Sequence, residues 1–194
     1  MAGDEPILAS ADLDPGAGLH PLQSPWTLWF YQTPAGAPAG NADDWKSHLQ
    51  RVGSFDTIEM FWRYHRHCIL PSCLDYKSNY HLFKKGIQPM WEDPNNENGG
   101  KWVILFMSSM TDRNSISGNE ICGAVVSRRR ATDRIAIWNR SSDNREKILA
   151  LGRAIKKAIL EDIEPSIKLP MEWTAHNETN KGENTKGKPM HLTL

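Results

Sequence analysis

The 194-residue sequence predicts an α+β domain, an antiparallel sheet with its helices grouped on one side. Three observations carry this. Short runs rich in β-branched and aromatic residues recur between Gly, Asp and Asn positions, at 79–85, 102–107, 121–127 and 134–138. Two longer stretches show helical spacing with readable ends, and no apolar run approaches the length of a membrane span. A hydrophobic content of 39% suffices for one real core.

Residues 1–19 hold Asp4, Glu5, Asp12 and Asp14 with no Lys or Arg, among Ala, Gly and Pro without periodicity. Such a segment buries too little apolar surface to offset its ordering entropy, so a disordered acidic tail is expected there and a single domain over 20–194. The tail has neither the basic start and apolar run of a secretion signal nor a Met-Gly lipidation start. Residues 26–31 then alternate, Trp26, Leu28 and Phe30 against Thr27, Trp29 and Tyr31, which predicts a strand. Residues 32–44 are rich in Ala, Gly and Pro and read as a long loop that delivers Trp45 at its far end.

A helix is expected over 56–69, with Asp56 as N-cap, Glu59 completing a capping box and Phe55 stapled to Met60. Ile58, Phe61, Trp62 and His65 share one of its faces. A second helix is expected over 143–164, capped by Asp143 and Glu146, stopped by Pro165 and carrying Ile148, Leu151, Ile155 and Ile159 as its core stripe. A strand over 167–173, a polar Gly-rich loop over 177–188 and a short edge strand over 189–194 complete the reading.

Net charge is zero, yet the four acids of the tail leave a mild basic surplus on the remainder, which fits an anionic ligand. Three cysteines, Cys68, Cys73 and Cys122, have the wrong number for a disulfide framework and point to a reducing compartment. His65, His67, Cys68 and Cys73 match no common zinc spacing, because histidines two apart on a helix point in different directions and Pro71 bends the chain between the cysteines. No metal or other cofactor is expected.

Eight tryptophans are the compositional outlier, and one stands in an unusual setting. Pro89-Met90-Trp91-Glu92-Asp93-Pro94 precedes a Gly-Gly turn and reads as a shaped loop. A tryptophan face beside a carboxylate suits a planar cation with adjacent N–H donors, and a guanine methylated at N7 is such a ligand. The same two residues also describe a packed loop tryptophan with a solvated glutamate.

Other stretches separate these readings. His20-Pro21-Leu22 with Trp26-Thr27-Leu28-Trp29-Phe30, Trp45, Phe55-Asp56-Thr57-Ile58-Glu59-Met60-Phe61-Trp62, Tyr80, Leu82-Phe83-Lys84 and Gly86-Ile87 precede the loop; Cys122-Gly123-Ala124-Val125-Val126, Asp133-Arg134-Ile135-Ala136-Ile137-Trp138 and Asn144-Arg145-Glu146 follow it. In that order, from about residue 20 to residue 176, the chain resembles the cap-binding translation initiation factor 4E family.

The resemblance implies a curved sheet cupping the 7-methylguanosine cap of mRNA, with helices on its convex back. It implies Trp45 and Trp91 as the two walls around the base, Glu92 as acceptor for the N1–H and N2–H₂ donors, and Trp138 against the methyl group. It assigns the phosphates to Arg129 and Arg134. A third basic position common in the family is Ala131 here, so Lys101, Arg128 and Arg130 are candidates to compensate. His20, Pro21, Ile58 and Trp62 match the surface that grips a scaffold protein of the initiation factor 4G type, or a binding protein competing with it. Lys181, Lys186 and Lys188 match a loop near the next nucleotide. The segment 107–120 is polar and too short for the additional back-face helix of typical members, which puts part of the partner groove in doubt. A cytoplasmic, monomeric, non-enzymatic factor in translation initiation follows from the resemblance, with a cap-binding repressor that recruits no scaffold as the alternative.

Two other classes are open to the residues alone. A cap-processing enzyme needs clustered carboxylates or a nucleophile with its base, and only Glu92-Asp93 comes near that. A methyl-lysine reader also uses a tryptophan cage, but has little use for Arg129 and Arg134.

Overall fold

Alternating side chains on the first strand divide the molecule into two faces. In the computed structural model, which describes residues 18–33, 42–106, 120–130, 132–160, 169–176 and 191–194, β1 spans Pro21–Gln32. Trp26, Leu28 and Phe30 lie on one side and Thr27, Trp29 and Tyr31 on the other. The strand starts earlier than its alternation predicts, because Pro21 pairs with Thr57 across a register shift that separates it from Trp26.

Seven strands follow: β2 Leu49–Thr57, β3 Ser78–Lys84, β4 Gly100–Phe106, β5 Ile121–Ser127, β6 Asp133–Asn139, β7 Met171–Ala175 and β8 His191–Thr193. Every pairing is antiparallel, and together they form one curved eight-stranded sheet in the order β2-β1-β3-β5-β6-β4-β7-β8. The expected strands are all present within a few residues of their predicted bounds.

β2 is the strand that pattern reading does not find. Its sequence, LQRVGSFDT, carries charges and a mid-strand glycine, both poor strand signals. Tertiary packing explains the glycine. A Cβ at Gly53 would lie 2.2 Å from the Tyr64 hydroxyl, so only glycine lets the helix ring approach the strand.

Three α-helices, α1 Ala42–Ser47, α2 Ile58–His67 and α3 Arg145–Leu160, and a single 3-10 turn over Pro71–Cys73 complete the described elements. The expected start of α2 at Asp56 is displaced. Asp56 belongs to β2, and Thr57 caps the helix by accepting the Met60 N–H at 3.3 Å. Glu59 closes no capping box but reaches back to His20, accepting its backbone N–H at 3.0 Å. The staple also changes partner: Phe55 packs on Phe61 and Tyr64, at ring separations of 5.5 and 5.8 Å. Tyr64, not the expected stripe, is the buried residue of α2.

α3 is capped one residue later than expected, by Asn144, whose side-chain oxygen accepts the Lys147 N–H at 3.0 Å. Its Ile148 and Ile155 pack on Trp102, Ile104, Ile137, Met171 and Trp173 of the sheet. The approach is close enough that a Cβ at Gly152 would lie 2.4 Å from the Trp102 ring. Since Phe55 lies on the same side as Trp26, α2 and α3 both cover the back of the sheet. The opposite face has a smaller apolar floor of Phe83, Ile87, Cys122, Val125 and Trp138. The acidic tail through residue 17, the 34–41 part of the Ala/Gly/Pro loop, the shortened segment over 107–119, Ala131, the end of the second expected helix beyond 160 and the loop carrying Lys181, Lys186 and Lys188 lie outside the described residues.

Candidate functional site

Strand register carries one face across the sheet. Trp29 lies opposite His81, His81 opposite Val125, Val125 opposite Ala136, and Trp138 opposite Lys101. Trp138 is buried there, edge-on to Phe83 at 5.3 Å and covered by His176 at 4.1 Å. The Lys101 ammonium stands 5.9 Å from its ring centroid. Aromatic surface thus forms the floor of this face, with positive charge beside it.

Three cations crowd the same region. Burial, and then the Arg134 charge, lowers the pKa of Lys101; the same two causes in the same order lower that of Arg129. Partly buried cations under the charge of a third are a ready site for an anion. Arg129 is half-buried, with its backbone N–H donating to Asp133 at 3.0 Å and its guanidinium to the Arg128 carbonyl at 2.8 Å. Arg134 is exposed. Arg128 points its charge elsewhere, into an ion pair with Asp133 at 2.7 Å and over the Tyr76 ring at 5.4 Å. Arg130 is exposed just after β5.

Trp91 and Glu92 occupy the connection between β3 and β4. Its shape comes from two polar side chains that pattern reading passes over. Asp93 is buried and accepts three hydrogen bonds, from the Gln88 N–H at 2.8 Å, the Asn95 N–H at 2.8 Å and the Asn95 amide at 3.0 Å. Asn96, fully buried, donates its amide to the Gln88 and Met90 carbonyls, both at 2.8 Å. Cys122, its thiol pushed up to about 11 chiefly by burial, donates to the Asn95 carbonyl at 3.3 Å and ties the loop to β5. Because polar side chains fill and cross-link the interior of the loop, Trp91 is left outside it at 39% exposure, with Glu92 exposed beside it. The signal was present in Asp93-Pro94-Asn95-Asn96, a run suited to side-chain-to-backbone turns.

Trp45 lies on the short helix α1, where a loop end was expected. Its ring packs at 5.4 Å on Tyr31 and edge-on at 5.7 Å to His81, both residues of the site face. His81 and His176 were missed by sequence reasoning. Each is buried and held far below the usual histidine range, at about 3, first by burial and then by a neighbouring cation, Arg129 for His81 and Lys101 for His176. Both imidazoles are therefore neutral at physiological pH. Strand alternation would have placed His81 beside Trp29, but an isolated histidine gives no sign of what lies above it.

A second set of expected residues gathers at the back. His20 accepts Ile58 N–H through its carbonyl at 2.9 Å, and its ring nitrogen Nδ1 lies 2.6 Å from a Glu59 oxygen. That contact, led by the hydrogen bond from His20, lowers the Glu59 pKa. Pro21 begins β1 alongside, and Ile58 and Trp62 stand 43% and 38% exposed. Trp62 is steadied by edge contacts to Phe61 and His65. Its histidine neighbours do not converge on a metal: His65 stacks among these rings, and the His67 Nδ1 pairs with the Arg63 carbonyl at 2.7 Å.

The sheet, the bonded loop and the cation cluster together match a known architecture. A family model described as eukaryotic initiation factor 4E matches residues 21–190. The chain belongs to that family. Human eukaryotic translation initiation factor 4E is 34% identical over 186 residues, covering 87% of this chain and 82% of the human protein. Among solved structures, the Ascaris suum factor eIF4E-3 with an m2,2,7G cap aligns over 91% of this chain and 99% of its own, with a TM-score of 0.69 and 29% identity. The Schistosome factor complexed with m7GpppG and 4E-BP aligns over the same shares with a TM-score of 0.70 and 25% identity.

Proposed function

We propose that this protein binds the 7-methylguanosine cap of mRNA on the cation-bearing sheet face and acts in translation initiation with a scaffold or binding-protein partner. One conjunction of features carries the reading: an internally bonded loop leaves Trp91 and Glu92 exposed, in a chain whose sheet face holds Lys101 and Arg129 under the charge of Arg134. Trp45 and Trp91 sandwich the base, Glu92 accepts its N1–H and N2–H₂ donors, and Trp138 backs the methyl group. Arg129, Arg134 and Lys101 take the phosphates. Arg130 is a peripheral contributor, whereas Arg128, already paired with Asp133, braces the turn that carries Arg129.

Magnitudes place the affinity in the base pocket. Stacking of a base on an aromatic ring is worth about 1–3 kcal/mol per base, and a desolvated cation–π contact about 2 kcal/mol or more. Two faces and a charged hydrogen-bond pair outweigh phosphate contacts made partly in water. Lys181, Lys186 and Lys188 are assigned to RNA beyond the cap. His20, Pro21, Ile58 and Trp62 form the partner-binding surface, and residues 20–194 act as one cap-binding unit of the cytoplasm. The protein acts by recognition and not by catalysis. A repressor that recruits no scaffold is less favoured, given an initiation-factor family. A methyl-lysine reader is disfavoured by the same three cations, which repel an ammonium ligand.

Calorimetric titration with 7-methyl-GTP and with GTP, followed by chromatography of the nucleotide, tests the proposal. Tight binding that depends on the methyl group, with the nucleotide recovered unchanged, is expected. Equal affinity for both nucleotides, or any product, overturns it.

A further inference from the structure

His81 is a buried imidazole on the floor of the site face, at 4% exposure, with neither ring nitrogen bonded to any described residue. A histidine kept for structure is ordinarily held through a hydrogen bond, since a buried polar atom left unpaired costs free energy. Here the described ring contact of His81 is with Trp45, edge-on at 79° and 5.7 Å. Tyr31 supports the same indole at 31° and 5.4 Å, two residues along β1 from Trp29, which lies opposite His81. The indole is thus held from two directions by rings of the sheet. The T-shaped geometry is favourable for two aromatic rings and fixes the plane of the upper one. With burial and Arg129 keeping the imidazole neutral, the contact is ring against ring and adds no charge beneath the base.

We infer that His81 is a positioning residue for ligand stacking: its ring sets the plane of Trp45 before the ligand arrives. The inference rests on the reading of Trp45 as one wall of the base sandwich. A wall already in its binding pose spares the ligand the cost of selecting that pose, and apparent affinity falls in proportion to the fraction of molecules that hold it.

The test uses full-length protein labelled with 5-fluorotryptophan, the Trp45 resonance being the one lost in Trp45→Phe. His81→Ala is expected to bind 7-methyl-GTP roughly tenfold more weakly, as follows if about a tenth of the molecules keep the pose. Its free Trp45 resonance should move and broaden, then coincide with that of the parent at saturation. His81→Phe restores a ring and should bind within threefold of the parent with the parental Trp45 resonance, which also guards against a His81→Ala variant that does not fold. Unchanged binding and an unmoved resonance in His81→Ala overturn the inference. So does weakened binding with an unmoved resonance, or a loss in His81→Phe equal to that in His81→Ala. Undiminished binding by Trp45→Ala instead removes the sandwich reading itself.

Discussion

Trp91 and Trp45 are held in opposite ways. The segment behind Trp91 is cross-linked by its own polar side chains, with Asp93 and Asn96 bonding Gln88, Met90 and Asn95 across the loop. Trp45 rides on a six-residue helix and is located by the rings of Tyr31 and His81. Hydrogen bonds are directional and, once buried, costly to break; edge-to-face ring contacts are individually weaker and act by setting the plane of the upper ring. Trp91 is therefore set by the bonded loop behind it, and Trp45 by aromatic packing on the sheet.

The contrast breaks most readily at Asp93. Asp93→Ala leaves three donors without their acceptor, and at about 1–3 kcal/mol for each buried unpaired group the loss of stability should reach about 3 kcal/mol. Cap binding should fall with it, because Trp91 and Glu92 lose their support. Urea denaturation and a 7-methyl-GTP titration on one sample check both; a variant that keeps stability and affinity would show that the loop is not held from within. Trp45→Ala should instead cost affinity with little change in stability.

Glu92→Gln comes next. An amide sets its own donors against the donors of the guanine edge, so about 1.5–3 kcal/mol of binding should be lost, on the scale of hydrogen bonds to charged groups. Glu92 is exposed, so the melting temperature should hold. A variant that binds as well as the parent would remove Glu92 from the site.

The two buried histidines should show in a pH profile of stability. His81 and His176 titrate at about 3 in the folded protein, below the ordinary histidine value of about 6.5. Above that ordinary value both states are neutral and nothing is lost. As pH falls below it the unfolded chain takes up protons that the folded chain refuses, and stability declines until the folded value is reached. Between pH 7 and 5.5 each histidine should cost about 1 kcal/mol. His81→Phe should remove about half of that slope. An unchanged slope in the variant would place His81 in a more open setting than a packed support for Trp45 requires.

Arg134→Ala should have the smallest effect, below about 1 kcal/mol, since a solvent-exposed ion contact is screened. The difference should shrink further as salt rises. Titrations in which this loss exceeds that of Glu92→Gln at physiological salt would reverse the balance between base pocket and phosphate clamp.

The same contrast explains what the sequence disclosed. Alternation at 26–31 and the runs at 79–85, 102–107, 121–127 and 134–138 marked strands that the fold contains, because a half-buried sheet imposes period two on its residues. β2 stayed hidden because Gly53 answers to the distant Tyr64 and not to local propensity. α1 was hidden by its Ala- and Gly-rich approach, and the α2 cap moved to Thr57 because Asp56 was already committed to β2. The candidate tryptophans and arginines stood out through the family resemblance. Asp93, Asn96, His81 and His176 did not, since their parts depend on neighbours brought together by the sheet.

The central claim is that Trp45 and Trp91 enclose the cap base from two sides. It is tested most directly by retention of Trp45→Ala and Trp91→Ala on immobilised 7-methylguanosine, with circular dichroism recorded on each variant. Loss of retention by both, with the spectrum of the parent, is the predicted result. Either variant binding within threefold of the parent, its spectrum unchanged, would contradict the account.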